Sequence, residues 1–188
     1  MSVPQYGLNK HADILKAGVN NAGFKDITVI TAADDSHTLT AADGGIVLIS
    51  AALAAGAVIK LPEASQENVG LKFRIIYAAT MATLSHIQLK DGNPEVFAGV
   101  VEVQRCGNAA GVADGTIVNR TTIATTVAQA EQALKLDEND ETFGGAIGTD
   151  LLFHYVSPSV VLVSGIINVN STNAIDAVQS TSFTATGY

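Results

Sequence analysis

The feature that most constrains the fold is a succession of short apolar runs between Thr38 and Tyr77, each closed off by Gly, Pro, Asp or Asn. Ile46 to Ser50, Val58 to Leu61 and Leu71 to Tyr77 are the clearest of them. Runs this short, bounded by residues that tolerate tight turns, spell strands rather than helices. Within the last run Leu71, Phe73 and Ile75 alternate with Lys72 and Arg74. A period of two sends the first set to a buried face and the second into water. The expectation is a sheet with one wet face.

The order Thr-Leu-Thr-Ala-Ala-Asp-Gly-Gly from Thr38, an apolar strand, the Ala-rich bridge Ala51 to Gly56, Val-Ile-Lys-Leu-Pro-Glu-Ala from Val58, a polar turn, and Gly-Leu-Lys-Phe-Arg-Ile-Ile-Tyr from Gly70 carries a resemblance. It resembles a segment of β-rich structural proteins of tailed-phage virions, particularly capsid decoration (cement) proteins and head fibres. The likeness covers residues 31 to 77, about a quarter of the chain. It implies a small β-sandwich or barrel module, jelly-roll-like and commonly trimeric, seated on the capsid exterior and bridging neighbouring subunits. The partners implied are the major capsid protein and further copies of this chain, in a protein made in the host cytoplasm. The resemblance supplies no catalytic residues.

Composition bounds the alternatives. Apolar residues make up 47% and charged ones 15%, with 17 Gly, which suits a compact β protein rich in turns and excludes a disordered chain. The formal charge is -8, and Lys and Arg nowhere cluster. Nucleic-acid binding releases counterions by pairing cations with phosphate, so no nucleic-acid partner is expected. An acidic membrane surface is disfavoured on the same ground. The longest apolar run, Ile46 to Ile59, is about 14 residues and contains Gly56, short of the roughly 20 a spanning helix needs. Met1 to Lys10 lacks an apolar stretch behind positive charge, so no cleaved secretory signal is expected. Cys106 is the only cysteine, which rules out an intrachain disulfide. It reads as a small buried hydrophobe, since Arg105 alone is too little to sustain a reactive thiolate.

Three segments emerge: an N-terminal arm over 1–26, a β domain over 27–169 and a last strand or tail over 170–188. The arm is broken by Pro4, Gly7, Gly18 and Gly23 yet carries Tyr6, Leu8, Ile14, Leu15 and Phe24, more apolar side chains than a solvating tail needs. These five are the candidate contact residues for a neighbouring subunit. Inside the domain, Thr31 to Asp34 and Thr40 to Asp43 repeat a Thr-Ala-Ala-Asp turn, and Asp43-Gly44-Gly45 reads as a hairpin-type turn into the strand that follows. Met81 to Leu89 and Val96 to Gln104 read as strands joined by the turn Lys90 to Pro94. Ile117 to Thr126 is β-branched; Thr125 to Leu136 changes period, placing Val127, Ala130 and Leu134 on one side of a short helix. Leu151 to Val156 and Val160 to Val169 complete the strands, the latter suited to a central position. The fold class expected is mainly β: an antiparallel β-sandwich or barrel with one short helix and an N-terminal arm.

Chemistry-bearing motifs are sparse. No GxSxG, HExxH, P-loop or GxGxxG spacing occurs, and His11, His37, His86 and His154 stand singly. Asp137, Asn139 and Glu141 alternate as oxygen ligands for a hard cation would, but no Gly sits at the sharp-turn position and no later Glu closes the shell. A solvated acidic loop is the plainer reading, and neither cofactor nor metal is expected. Aromatics are 5% with no Trp, too few for a sugar-stacking platform. The function expected is therefore structural and not enzymatic, a virion decoration protein. The alternative is a tail-fibre or host-attachment module, and a third class is a hydrolase using paired carboxylates across a cleft.

Overall fold

The computed structural model describes residues 27–31, 36–81, 83–89, 96–105, 117–123, 133–136, 144–169 and 183–184. Turn-bounded apolar runs become strands at nearly every position the sequence marks. In order they are β1 (Thr28–Ile30), β2 (Ser36–Thr38), β3 (Gly45–Ile49), β4 (Ala57–Lys60), β5 (Lys72–Tyr77), β6 (Ser85–Gln88), β7 (Val96–Arg105), β8 (Ile117–Ile123), β9 (Ala133–Leu136), β10 (Asp150–Ser157), β11 (Val160–Val169) and β12 (Phe183–Thr184). Two single turns of 3-10 helix, Ala41–Asp43 and Gln66–Asn68, are the only helical pieces among the described residues.

The strands form two sheets, one of seven in the order β1-β3-β5-β10-β11-β7-β8 and one of five in the order β12-β9-β6-β4-β2. From β1 to β7 the chain alternates between them, one strand in each layer in turn. A strand that leaves for the opposite layer and returns lies beside its predecessor in the same direction, so β1, β3 and β5 are parallel, as are β2, β4 and β6. Beyond this wound portion, β10 runs antiparallel to β5 and β11, β8 to β7, and β9 to β6 and β12, while β11 and β7 are parallel.

The expected mainly β architecture in two layers is there, but the antiparallel arrangement and the barrel are corrected: both sheets are mixed, and among the described residues each ends in strands paired on one side only, so neither closes. Periodicity reveals that a strand follows a turn but not which layer receives it. The residues read as a hairpin turn, Asp43-Gly44-Gly45, instead carry the chain from β2 in one sheet to β3 in the other. Asp43 reaches back: its Oδ2 accepts from the Thr40 amide at 2.8 Å and from the Thr40 hydroxyl at 2.7 Å, closing the turn. Likewise β6 and β7 belong to different sheets and are not a hairpin pair. The end of the expected short helix is corrected too, since Ala133–Leu136, with Leu134, is β9; Val127 and Ala130 lie outside the described residues. The sequence Ala-Leu-Lys-Leu favours helix locally, but pairing with β6 and burial of Ala133, Leu134 and Leu136 override that preference.

One apolar cluster joins the layers. The seven-stranded sheet contributes Val47, Phe73, Ile75, Phe153, Tyr155 and Val163, and the five-stranded sheet Ile59, Ile87, Leu134 and Leu136. Each such side chain stabilises the fold by about 1.5–3 kcal/mol through removal from water. Phe73 meets Tyr155 edge-on at 6.2 Å between ring centres, and Phe97 meets Phe153 at 5.5 Å. The Tyr155 hydroxyl donates to the Pro62 carbonyl at 2.7 Å, tying β10 to the segment that follows β4.

Two glycines let strands approach closely. At Gly99 (φ +128) an added Cβ would stand 2.2 Å from the Val163 carbonyl oxygen, and at Gly165 (φ +132) 2.1 Å from that of Asp150. No other residue type fits either place.

Candidate interaction surface

Strand alternation sends Phe73, Ile75, Leu151, Phe153, Tyr155, Val161 and Val163 into the core. The intervening side chains point away from it, and on the seven-stranded sheet many of these are apolar as well. Leu152 and Val156 on β10, Leu162 on β11, Val100 on β7 and Val29 on β1 are exposed, with Leu162 at 40% and Val29 at 50% of full exposure. Ile46 and Leu48 on β3, Ile76 on β5 and Ile166 on β11 are half-buried at positions of the same parity.

Register places most of these residues on one face, interleaved with polar ones. Val29 lies beside Leu48 and Leu48 beside Ile76, giving an apolar row across three strands. In the next row Ile46, Arg74, Leu152, Ser164 and Val100 are successive neighbours. Leu162 sits between His154 and Ala98. Singly exposed apolar residues are ordinary, whereas large apolar patches are characteristic of interaction surfaces.

One ion pair lies on this face. The Arg74 guanidinium grips Asp150 with Nε at 2.9 and 3.2 Å from the two carboxylate oxygens and Nη2 at 2.5 Å from Oδ2. This planar two-pronged contact raises the Arg74 pKa above its ordinary value, through the hydrogen bonds first and the Asp150 charge second. In water such a pair contributes little to stability, about 0–1 kcal/mol. Lys72 is the register neighbour of His154, and Glu102 that of Ile166. A shallow depression of about 470 Å3 lies between β7 and β11, lined by Val100, Glu102, Ser164, Gly165 and Ile166.

The five-stranded sheet differs. Its outward row Val58, His86 and the neighbouring Gln88 is buried, His86 at 3% exposure. Burial lowers the His86 pKa, and Lys135, its partner across the β6–β9 ladder, lowers it further. Where β2 and β4 meet the Gln66–Asn68 turn, a cleft of about 580 Å3 is lined by Thr38, Leu39, Lys60, Glu63, Glu67 and Asn68. Its mixed charges point to no particular ligand.

The sequence candidates fall elsewhere. Tyr6, Leu8, Ile14, Leu15 and Phe24 of the arm, Asp137, Asn139 and Glu141 of the acidic loop, and Cys106 lie outside the described residues. His37, His86 and His154 are not brought together: His37 and His86 occupy different rows of the five-stranded sheet, and His154 is on the other sheet. Among the described residues no group of three His, Cys, Asp or Glu is placed to hold a metal ion. The apolar outer patch was missed by sequence reading, although a signal for it exists. Val160–Val169 and Gly45–Ile49 are apolar at both parities, the pattern of strands covered on both faces. Comparison with protein-family models, with curated proteins and with solved structures returns no match.

Proposed function

We propose that the protein is a structural component of a virion: a decoration protein that binds the outer surface of a tailed-phage capsid, contacts the major capsid subunits and acts as a homo-oligomer, trimeric at symmetric sites. The observation that carries this reading is the set of exposed apolar residues gathered on the outer face of the seven-stranded sheet, a surface suited to macromolecular cover rather than to turnover of a small substrate. The resemblance of residues 31 to 77 supplies the viral context. The acidic balance, -8 for the chain, fits binding to protein rather than to the packaged nucleic acid.

The mechanism is mass action. A protein that binds only the assembled shell stabilises it by RT ln(1 + [L]/Kd) per site, about 2.7 kcal/mol at a hundredfold excess over Kd. Simultaneous contacts by several protomers at a symmetric site add avidity. The arm residues Tyr6, Leu8, Ile14, Leu15 and Phe24 supply the shell contact in this reading. The test is co-sedimentation with purified tailed-phage shells stripped of decoration protein. Saturable binding at a fixed ratio, lost on deletion of residues 1–26, is the expected result. Failure to sediment with any shell would refute the reading, and unchanged binding after the deletion would remove the arm from it.

A further inference from the structure

We propose that in the free protein residues 1–26 fold back over the outermost coil of the wound strands and cover the edges of β1 and β2. The proposal goes beyond the shell reading: it concerns the chain with no capsid present, when the arm has only its own domain to sit on.

The winding supplies the place. β1, β3 and β5 lie in that order in one sheet and β2, β4 and β6 in that order in the other, so β1 and β2 together make the last coil of a two-layer parallel stack. Among the described residues both strands are paired on one side only, and both edges lie at the same end of the stack. Stacked coils need a terminal unit over the last one, because each coil buries its apolar side chains only between neighbours. Edge strands are ordinarily guarded by charge, proline, a bulge or shortness. Residues 27–31 and 36–42 contain neither a charged side chain nor proline, and the register of β1 on β3 and of β2 on β4 is unbroken, so shortness is their only guard. Yet Ile30 and Leu39, inward side chains of this last coil, are 0% and 1% exposed, as buried as Ile49 and Ile59 one coil further in.

Position, length and charge name the occupant. Residue 26 adjoins Ile27, so the arm leaves the domain at this very coil. Register partners one coil apart are separated by 19 residues at Thr28 and Val47, 22 at Ser36 and Val58, and 28 at Gly45 and Phe73. The 26 residues ahead of Ile27 therefore suffice for one more turn over the end. Lys10, Lys16 and Lys25 against Asp13 and Asp26 give the arm +1 in a chain of -8, which leaves -9 on the rest, and the link between β1 and β2 carries Asp34 and Asp35. Opposite balances draw the arm toward this end. Tyr6, Leu8, Ile14, Leu15 and Phe24 give it the apolar side chains that a cover buries.

The experiment is hydrogen exchange read by mass spectrometry on the full chain without any shell, so that its outcome is independent of shell binding. Expected is protection of residues 27–31 and 36–42 that does not change on dilution. In the full-length double variant Ile14→Asp, Leu15→Asp these segments should exchange at least tenfold faster, while 150–157 in the middle of the sheet keep their rate. Deletion of residues 1–26 should give the same pattern, and the double variant keeps the test decisive if the shortened chain does not fold. Unchanged exchange of 27–31 and 36–42 in the double variant overturns the proposal. An equal rise in 150–157 does so too, since the arm would then be part of the core and not a cover on one end. Protection that falls on dilution would assign the cover to a second copy and equally overturn it. Failure to bind shells, with the expected exchange pattern, would refute the functional reading and leave this proposal standing.

Discussion

Replacing Gly165 by Ala tests how closely the central strands are apposed. Gly165 lies at φ +132, and an alanine Cβ there would stand 2.1 Å from the Asp150 carbonyl oxygen and 3.0 Å from the Leu151 Cα. Both obstacles are backbone of β10, held by the β10–β11 ladder on one side and the β5–β10 ladder on the other, so neither can swing aside. Backbone strain of about 1–3 kcal/mol adds to about 1–3 kcal/mol for forcing an extra methyl into a packed site. The sum, about 2–6 kcal/mol, is a large part of the 5–15 kcal/mol that holds an ordinary domain folded. Gly56 provides the control, because it has φ +79 and nothing within 4 Å of a built Cβ. Gly56→Ala therefore carries the strain alone, about 1 kcal/mol. In urea, with a slope of about 2 kcal/mol per molar, Gly165→Ala should lower the unfolding midpoint by about 1–3 M and Gly56→Ala by about 0.5 M. The chain has no Trp, so circular dichroism is the natural probe. Equal midpoint shifts in the two variants would refute the reasoning, since the close approach of β10 and β11 would then cost nothing.

Two further predictions concern the layers. Tyr155→Phe removes the 2.7 Å hydrogen bond to the Pro62 carbonyl while keeping the ring in the core, and should destabilise by about 1 kcal/mol; a loss beyond about 3 kcal/mol in urea titration would mean that the ring itself has moved. His86 has a folded-state pKa below its ordinary 6.5, so between those two values the unfolded chain binds a proton that the folded one refuses. Stability should be complete above about pH 6.5 and decline as the pH falls below it. His86→Gln should flatten that part of the curve, and an unaltered slope in the variant would assign the effect to another group.

Much of the strand content was legible because these strands obey local rules. Lys72–Tyr77 alternates, and the structure places Phe73 and Ile75 inside with Lys72 and Arg74 outside. Val101 and Val103 are buried while Glu102 and Gln104 are partly open, as their alternation requires. The Val160–Val169 run is a central strand, flanked by β10 and β7. What sequence did not yield is pairing. Nothing local distinguishes Asp43-Gly44 closing a hairpin from Asp43-Gly44 handing the chain to the other layer, since both need the same tight turn. Leu134 failed for the complementary reason: four residues of good helix formers were claimed by a neighbouring strand edge. The outer face was hidden because apolar residues at both parities of β11 read simply as a buried strand, and only the fold shows Leu162 exposed on one side of it.

The winding of β1 to β7 between layers also bears on how the chain is made. Strands β1 to β6 find partners among themselves, so both sheets can begin to form while synthesis continues. β8, antiparallel to β7, closes one flank of that strand soon after it emerges. The other flank must wait for β11, on the order of fifty residues later, which at about 5–20 residues per second is several seconds of synthesis. During that interval β7, with its Val-Phe-Ala-Gly-Val-Val core, has an open edge on a nascent chain. Crowded polysomes are therefore a setting in which β7 can mispair with its own siblings, and the parallel β7–β11 ladder is the step that closes that edge.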